Sequence, residues 1–330
     1  MMRAVLEICA GGGGQALGLE SAGFDLAGAV EIDRQACATL RLNRPRWAVL
    51  EKSVGDVEGR DFRGVDVIAG GVPCPPFSIA GKQLGPEDER NLFPEALRLI
   101  AEARPAAVML ENVPGFASAR FSRYRAGLLR RLRGLGYEAE WRVLNASSFG
   151  VPQLRPRFVI IAATAPIMAR FFWPDETAQR LSVGRAIGDL MGADGWPGAA
   201  GWARRASGIA PTLVGGSKKH GGPDLGPTRA RKQWAALGVD GLGIADAPPQ
   251  PEFPCNRLPR LTLRMAARIQ GFPDTWQFSG GKTAAYRQIG NALPPPVAHA
   301  VGAALLEAFA GGVRTGRRRQ EQLFAAGALA

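Results

Sequence analysis

Short apolar runs alternate with amphipathic stretches through the first half of the chain. The runs at 3–9, 26–32, 65–69, 106–110 and 159–163 are short and largely apolar, as strands buried on both faces of a parallel sheet are. Helix-compatible stretches lie between them, at 15–22, 33–42, 94–103 and 123–135. This alternation predicts an α/β domain built on a doubly wound, largely parallel sheet.

The periodicity changes in the second half of the chain. It fails between 165 and about 257, where Gly, Pro and Trp dominate, and an apolar helical pattern returns at 279–310. A length of 330 residues accommodates one large domain and a smaller one. We therefore predict a main domain at 1–164, a small irregular domain inserted at 165–282, a segment at 283–313 that returns to the main domain, and a basic tail at 314–330.

A glycine-rich segment follows the first predicted strand. Glycines at this place let the backbone turn tightly and approach a ligand, and the segment comprises Ala10, Gly11, Gly12, Gly13 and Gly14. Glu31 ends the second strand 20 residues after Gly11, where a carboxylate can accept hydrogen bonds from ribose hydroxyls. Asp56 follows the place where a further strand, between those at 26–32 and 65–69, would end, and it can hold an adenine amino group. The pattern predicts a nucleoside cofactor, and at this point both NAD and S-adenosylmethionine fit it.

Further polar groups follow the next strands at their carboxyl ends. Cys74 lies between prolines in a stiff loop after the strand at 65–69, which suits a reactive thiol. Glu111 follows the strand at 106–110, and Arg155 and Arg157 precede the one at 159–163. Because ligands of open α/β sheets bind at the carboxyl ends of strands, these groups can converge on Cys74. They form the donor and acceptor set needed to hold a pyrimidine.

The net charge points to a polyanionic partner. Forty-one Lys and Arg against 29 Asp and Glu leave +12 at pH 7, which favours nucleic acid first and an anionic membrane surface second. Within 204–232 a single acid, Asp224, accompanies seven basic residues: Arg204, Arg205, Lys218, Lys219, Arg229, Arg231 and Lys232. Glycines and prolines interrupt this stretch, so we predict a loop-like, DNA-contacting surface.

Composition argues against several classes of protein. The four cysteines form no CxxC pair and the chain has two histidines, so neither a disulfide framework nor a metal site is expected. No apolar stretch approaches the roughly 20 residues of a spanning helix, and Glu7 interrupts the start too early for a secretory signal. We expect a cytoplasmic protein, associated with the nucleoid through DNA, that does not bind membranes.

The order of these motifs along the chain resembles that of the DNA cytosine-5 methyltransferases, from about residue 4 to 306. The glycine segment with 17–24, Glu31-Ile32-Asp33 and Gly55-Asp56-Val57 resemble the cofactor motifs. The Pro-Cys loop, Glu111-Asn112-Val113 and Gln153-x-Arg155-x-Arg157 resemble the catalytic motifs. Further matches are 90–93, 260–273 and Gln288-Ile289-Gly290-Asn291-Ala292-Leu293-Pro294-Pro295.

The resemblance implies S-adenosylmethionine as cofactor and double-stranded DNA as substrate. It implies that Cys74 attacks C6 of a flipped-out cytosine, that Glu111 binds N3 and the amino group, that Arg157 binds O2, and that Arg155 supports Glu111. The residues expected to bind the cofactor are Cys9, Ala10, Gly11, Gly13, Gly14, Glu31, Ile32, Asp56, Val57, Pro73, Leu92, Asn291 and Ala292. The inserted domain becomes a target-recognition domain, in which Thr212 lies near the flipped base. We expect a monomer, with a cognate restriction endonuclease acting separately.

Four positions depart from the family pattern. Glu7 replaces an Asp, Cys9 an aromatic residue that packs on the cofactor, Pro75 a Gln beside the nucleophile and Met265 a Glu. None of these changes affects Cys74, so we expect an active enzyme. Two alternatives remain open at this stage: an RNA (tRNA) cytosine-5 methyltransferase built on the same motifs, and a catalytically inactive DNA-binding relative.

Overall fold

The computed structural model describes residues 2–73, 91–216 and 222–311. Its strands are β1 (Arg3–Ile8), β2 (Phe24–Glu31), β3 (Val49–Glu51), β4 (Val67–Gly71), β5 (Ala107–Asn112), β6 (Glu138–Asn145) and β7 (Pro156–Ala163). Its helices are α1 (Gly14–Ala22), α2 (Arg34–Asn43), α3 (Phe93–Ala103), α4 (Ser122–Gly134), α5 (Ala165–Met168), α6 (Val183–Met191), α7 (Ala199–Arg205), α8 (Thr228–Ala236), α9 (Leu263–Ile269), α10 (Lys282–Asn291) and α11 (Pro295–Phe309).

The strands form one sheet in the order β3-β2-β1-β4-β5-β7-β6. Pairing is parallel from β3 to β5, and β7 is antiparallel to both β5 and β6. The chain starts in the middle of the sheet and winds outward in both directions, which confirms the doubly wound α/β prediction. The carboxyl ends of β1, β2, β4 and β5 therefore lie along one edge of the sheet.

Helices cover both faces of the sheet. On one face, α1 and α11 pack over apolar side chains such as Val5 and Met109, in a core that continues into the helices beyond residue 165. On the other face, α3 and α4 pack over Leu6 and Leu110. Strands covered on both faces read as continuous apolar runs, which is why the sequence revealed them.

The first and last helices of the sheet domain are in very close contact. A methyl group at Gly18 of α1 would lie 2.4 Å from the carbonyl oxygen of Pro295, and one at Gly302 of α11 would lie 2.9 Å from Leu19. Glycine is therefore required at the crossing by space rather than by backbone conformation. This contact places the segment after residue 282 against the start of the chain.

The prediction of a loop-like basic stretch at 204–232 is wrong for part of its length. Arg204 and Arg205 form the last turn of α7, and Arg229, Arg231 and Lys232 lie on α8. Both helices are short, and each is fixed by a buried tryptophan, Trp202 in α7 and Trp234 in α8. Tertiary burial of these rings overrides the weak local helical signal.

Candidate active site

The register of three neighbouring strands places an acid at the centre of the carboxyl edge. Glu111 on β5 is paired with Gly71 on β4 and with Val159 on β7. A methyl group at Gly71 would lie 3.2 Å from Glu111 Oε2, so the glycine leaves room for the carboxylate. The side chain is thus fixed beside the point where β4 ends and the chain continues to Pro73.

Glu111 forms a buried ion pair with Arg157. Arg157 Nε lies 2.9 Å from Glu111 Oε1, and the two residues are only 8% and 6% exposed. Arg157 also donates to its neighbouring carbonyl, Pro156 O, at 2.8 Å. Burial raises the pKa of Glu111 above its ordinary value, although Arg157 and, more distantly, Arg155 oppose this shift. A carboxyl group poised in this way can hold a proton and donate it in a hydrogen bond.

Asn112 connects this acid to the segment before Cys74. Its side-chain amide donates to Val72 O at 3.3 Å, and its oxygen accepts from Val113 N at 2.8 Å. The hydrogen bond fixes the backbone immediately before Pro73. Cys74 itself lies outside the described residues, which resume at Asn91.

Arg155 is held differently from Arg157. Its guanidinium is fully buried and donates to the carbonyl oxygens of Leu213, Gly290 and Ala292 at 2.7, 2.6 and 2.9 Å. Arg157 forms the ion pair with Glu111 described above, and the charge of Arg155 also lowers the pKa of Glu111. Through its hydrogen bonds to these carbonyls, Arg155 joins the inserted region 165–282, at Leu213, to the segment that leads into α11.

Two glutamines extend this junction; both lie in motifs that the sequence showed, but neither was given a role of its own. Gln153 accepts from Leu213 N at 2.8 Å and donates to Gln270 Oε1 at 2.8 Å, and both side chains are fully buried. Gln270 in turn donates to Ala292 O at 2.6 Å. Buried amides satisfied on both sides fix relative positions strongly, since a broken partner leaves an unpaired polar group.

The glycine loop, defined here as residues 10–14, has an unusual backbone. Cys9, Gly11 and Gly13 adopt left-handed conformations with φ of 53°, 54° and 86°. The loop is closed by a hydrogen bond from Gly13 N to Ala10 O at 3.0 Å, and Gly11 N donates to Glu31 Oε2 at 2.7 Å. Glycine permits this conformation at little cost at two of the three left-handed positions.

Protein atoms pack against three glycines of this loop. Methyl groups at Gly12, Gly13 and Gly14 would lie 3.1 Å from Gln288, 2.7 Å from both Leu40 and Trp276, and 2.3 Å from Leu293 O. At Gly11 the same construction meets nothing within 4 Å. The glycines therefore serve close packing as much as ligand approach, and only Gly11 borders open space.

The end of β2 provides groups suited to a nucleoside. Glu31 accepts from Gly11 N and Asp33 N, each at 2.7 Å, and both carboxylate oxygens keep a further lone pair for a ribose hydroxyl. Ile32 is 71% exposed beside it and can pack against an apolar ring. Asp56 is exposed in a short turn, whereas the Val57 side chain is buried in the core. These groups fit an adenosine-containing cofactor.

Glu7 is a second buried acid under the glycine loop. It is 1% exposed, and its Oε2 has no hydrogen-bond partner among the described residues. Burial raises its pKa well above the ordinary value, and the nearby Glu31 carboxylate raises it further. The raised pKa favours the protonated, neutral form of Glu7, which suits a carboxyl group buried under the loop.

The remaining predicted cofactor residues are distributed around the same edge. Pro73 and Leu92 lie at the two borders of the undescribed segment 74–90 and are partly exposed. Asn291 donates to Gly216 O at 3.2 Å, and Ala292 offers its carbonyl to Arg155 and Gln270. The contacts of Asn291 and Ala292 in the structure are thus to other protein segments.

The predicted DNA-binding residues belong to the inserted region 165–282. Arg204, Arg205, Arg229 and Lys232 are exposed, and Arg231 is half-buried. Lys218 and Lys219 lie outside the described residues. Thr212 donates to Leu154 O at 2.6 Å, which places it beside the Gln153–Arg157 segment.

Within residues 2–73, 91–216 and 222–311, no group of three metal-ligating side chains is found. In the same part of the chain, no helix is both long and apolar enough to span a bilayer.

Comparison with known proteins identifies relatives over nearly the whole chain. The family model of C-5 cytosine-specific DNA methylases matches residues 3–206 and 224–307. The type II methyltransferase M.NaeI of Lentzea aerocolonigenes is 57% identical over 90% of this chain and 73% of its own length. M.NgoMIV of Neisseria gonorrhoeae is 49% identical over 92% of this chain and 97% of its own length.

A solved structure supports the fold. DNMT2 of Spodoptera frugiperda superposes with a TM-score of 0.63 at 20% identity, over 92% of this chain and 100% of that chain. The family match and these relatives show that the protein is an S-adenosylmethionine-dependent DNA cytosine-5 methyltransferase. It belongs to the C-5 cytosine-specific DNA methylase family.

Proposed function

We propose that Cys74, Glu111 and Arg157 carry methyl transfer to C5 of a cytosine that has left the DNA helix. The observation that carries this proposal is the buried Glu111–Arg157 ion pair, fixed by strand register next to the backbone that leads into Cys74. A paired acid and arginine at a sheet edge offer a donor, an acceptor and a positive charge to one face of a pyrimidine.

The chemistry follows from the weak nucleophilicity of C5. The Cys74 thiolate adds to C6, and the ring electrons move toward N3 and O2. Protonated Glu111 donates to N3, while Arg157 stabilises the charge at O2. C5 then takes the methyl group, after which water or hydroxide removes the C5 proton and the Cys74 thiolate leaves, restoring the ring. Flipping the base costs a few kcal/mol.

S-adenosylmethionine supplies an electrophilic methyl group at this edge. We assign its ribose to Glu31, the apolar side of its adenine to Ile32 and the adenine amino group to Asp56. The open space at Gly11 leaves the loop backbone accessible, and Cys9, Ala10, Gly13, Gly14, Val57, Pro73, Leu92, Asn291 and Ala292 complete the proposed site. The Val57 side chain is buried and Cys9 is only partly exposed, and we assign both residues backbone contacts.

DNA recognition is assigned to the inserted region at 165–282, with 1–164 as the catalytic domain, 283–313 as its returning segment and 314–330 as a basic tail. Exposed Arg204, Arg205, Arg229 and Lys232, with Arg231, Lys218 and Lys219, bind DNA phosphates or guanine edges. Thr212 lies nearest the flipped base, since it contacts Leu154 within the segment that carries Arg157. We propose that the enzyme acts as a monomer in the cytoplasm, on nucleoid DNA, beside a separate cognate endonuclease.

The decisive experiment is base-resolution 5-methylcytosine sequencing of DNA from a methylation-free host that expresses the chain. Wild type is expected to methylate one short sequence, and Cys74→Ala to methylate none. Cys37→Ala is the matched control, because Cys37 is fully buried and burial raises its pKa to about 11, so it is not a nucleophile.

Two experimental outcomes would contradict the proposal. Methylation that persists in Cys74→Ala would reject the nucleophile. Folded wild-type protein that leaves DNA unmodified but methylates tRNA would reject the DNA assignment. Covalent trapping on duplexes that contain 5-fluorocytosine tests the same thiol, because fluorine at C5 prevents release of the cysteine.

A further inference from the structure

A cluster of aromatic rings follows α9. We name residues 272–279 the aromatic strap. The centroid of its Phe272 ring lies 6.1 Å from that of Trp276 and 5.0 Å from that of Phe278, and Trp47 extends the cluster at 6.1 Å from Trp276. Phe272 and Trp276 are almost completely buried.

The three rings of the strap lie on three consecutive glycines. Methyl groups at Gly12 and Gly14 would lie 3.3 Å from Phe278 and from Phe272, and one at Gly13 would lie 2.7 Å from Trp276. In addition, the indole Nε1 of Trp276 donates to Gly12 O at 3.1 Å in a buried hydrogen bond. Residues 264 positions apart are thus joined directly at the glycine loop.

The strap is itself fixed to α2. Asn43 pairs with both backbone groups of Gln277, donating to its oxygen at 2.7 Å and accepting from its nitrogen at 2.8 Å. Thr39 accepts from Ser279 N at 2.8 Å. The Arg44 guanidinium lies 5.3 Å from the centre of the Trp276 ring. The tryptophan cannot move without breaking several of these contacts.

The hydrogen bond completes the constraint on one peptide group of the loop. The peptide between Gly12 and Gly13 is planar, so its N–H and C=O turn together. Its N–H bonds Ala10 O and its C=O accepts from Trp276. Glycine has wide conformational freedom, and a glycine peptide without the second bond has alternative orientations available.

We propose that Trp276 is a positioning residue for the cofactor, whose indole N–H holds the glycine loop in the conformation that binds S-adenosylmethionine. The inference rests on the cofactor site proposed above. It also makes the strap, which lies near the end of the inserted region 165–282, a mechanical link between DNA recognition and cofactor binding. Preorganisation of this kind increases affinity by removing the cost of ordering the loop on binding.

The test compares two conservative variants. Trp276→Phe removes the N–H and keeps an aromatic ring. Trp202→Phe is the matched control, because Trp202 is equally buried and donates to Gly238 O at 2.8 Å far from the loop. The dissociation constant of S-adenosylhomocysteine is measured by calorimetry, together with KM, kcat and the thermal midpoint.

We expect Trp276→Phe to weaken S-adenosylhomocysteine binding roughly tenfold, since a lost hydrogen bond to a buried carbonyl costs about one factor of ten. KM for the cofactor is expected to rise similarly, with kcat at saturation within twofold of wild type. Trp202→Phe is expected to lower the thermal midpoint but to keep the wild-type dissociation constant. Equal dissociation constants in the two variants would overturn the proposal.

A second measurement uses the wild-type protein, so it does not depend on folding of a variant. Amide hydrogen exchange at Gly13 and Gly14 is expected to be slow before cofactor is added and to change little afterwards. Protection that arises only with S-adenosylhomocysteine would overturn preorganisation by Trp276. Failure of the wild-type chain to bind S-adenosylhomocysteine at all would instead reject the cofactor site itself.

Discussion

The acid–arginine pair and the glycine loop lie on the same edge of the sheet but are built in different ways. Glu111 and Arg157 are placed by neighbouring strands, so hydrogen bonding between the strands fixes their geometry. The glycine loop depends on Trp276, Gln288 and Leu293, which belong to the far end of the chain. The chemistry therefore rests on the sheet, whereas the cofactor loop rests on tertiary packing. Substitutions at the acid–arginine pair should mainly change the methylation rate. Substitutions in or around the glycine loop should mainly change cofactor affinity and stability.

The largest effect is expected at the acid. Glu111→Gln keeps the size and hydrogen-bonding shape of the side chain but cannot exchange a proton, so kcat is expected to fall by about 10² to 10³, as for loss of one stabilising group in a transition state. S-adenosylhomocysteine affinity should stay within twofold. Single-turnover methylation and calorimetry measure the two quantities. A fall in cofactor affinity equal to the fall in rate would erase the contrast between the regions.

The same acid predicts a pH dependence. Burial raises the pKa of Glu111, and the protonated form is the donor to N3, so activity should decline as pH rises through that pKa. Glu111→Gln should lack this alkaline decline in residual activity. The pH profile of kcat under saturating DNA and cofactor provides the measurement, and an identical decline in the variant would show that another group titrates.

Alanine substitutions in the glycine loop should lower the free energy of unfolding. Gly13→Ala is expected to lower the free energy of unfolding by about 3 kcal/mol, because it combines a strained φ of 86° with overlap on Leu40 and Trp276. Gly11→Ala, at φ 54° and facing open space, is expected to cost about 1 kcal/mol. Urea unfolding of both variants measures the difference. Equal losses would mean that backbone strain alone, without packing, sets the need for glycine.

A smaller and pH-dependent effect is expected at Glu7. Its pKa is raised in the folded protein, first by burial and then by Glu31, so folding retains a proton that the unfolded chain releases near the ordinary value. The contribution of the Glu7 carboxyl group to the free energy of unfolding is therefore present at acidic pH and is lost as pH rises. Relative to wild type, Glu7→Gln should gain stability as pH rises above the ordinary carboxyl pKa.

Glu102 provides a control of opposite sign. Hydrogen bonds from Arg98 and Gly59 lower the pKa of this half-buried carboxylate. The stability that it contributes is therefore present above the ordinary carboxyl pKa and is lost as pH falls. Glu102→Gln should therefore approach wild-type stability in acid. Urea unfolding across the pH range follows both variants, and parallel curves for the two would contradict the assignment.

The smallest effect is expected on α8. Replacing Lys232 with Gln removes one exposed charge, so the slope of log affinity against log salt should decrease by about 0.9 if Lys232 contacts a phosphate. Arg41→Gln on α2 is the control, because Arg41 is paired with Glu51 at 2.7 Å and belongs to a different surface. Fluorescence anisotropy with a short duplex measures both slopes. An unchanged slope for Lys232→Gln would remove α8 from the DNA interface.

The sequence predicts most of the sheet and much of its functional edge. Continuous apolar runs identified the buried strands, and the helix-compatible stretch at 33–42 is α2, which Asp33 caps by accepting from Gln35 N and Ala36 N. Strand β6, at the edge of the sheet, was missed because Glu138, Glu140 and Arg142 interrupt its pattern. An edge strand needs no continuous apolar run, since part of it faces solvent.

The parts that escaped prediction depend on contacts distant in sequence. The roles of Gln153 and Gln270 follow from a buried amide pair 117 positions apart, and neither residue has a local signal of this pairing. Arg155 was grouped with Arg157 because the two alternate in one motif, but its partners come from the inserted region 165–282 and the last helices. Trp276 belongs to none of the motifs singled out in the sequence, and its role is apparent only from its hydrogen bond to Gly12.

The hydrogen bond between Trp276 and Gly12 has a consequence for biosynthesis. The glycine loop leaves the ribosome early, but the ring that bonds Gly12 follows 264 positions later, an interval on the order of 10 to 50 s at ordinary translation rates. During that time the loop is uncovered and the nascent chain lacks a finished cofactor site. The cofactor site is therefore completed only late in synthesis, and a chain terminated before Trp276 would carry the arginines proposed to bind DNA without a finished cofactor loop.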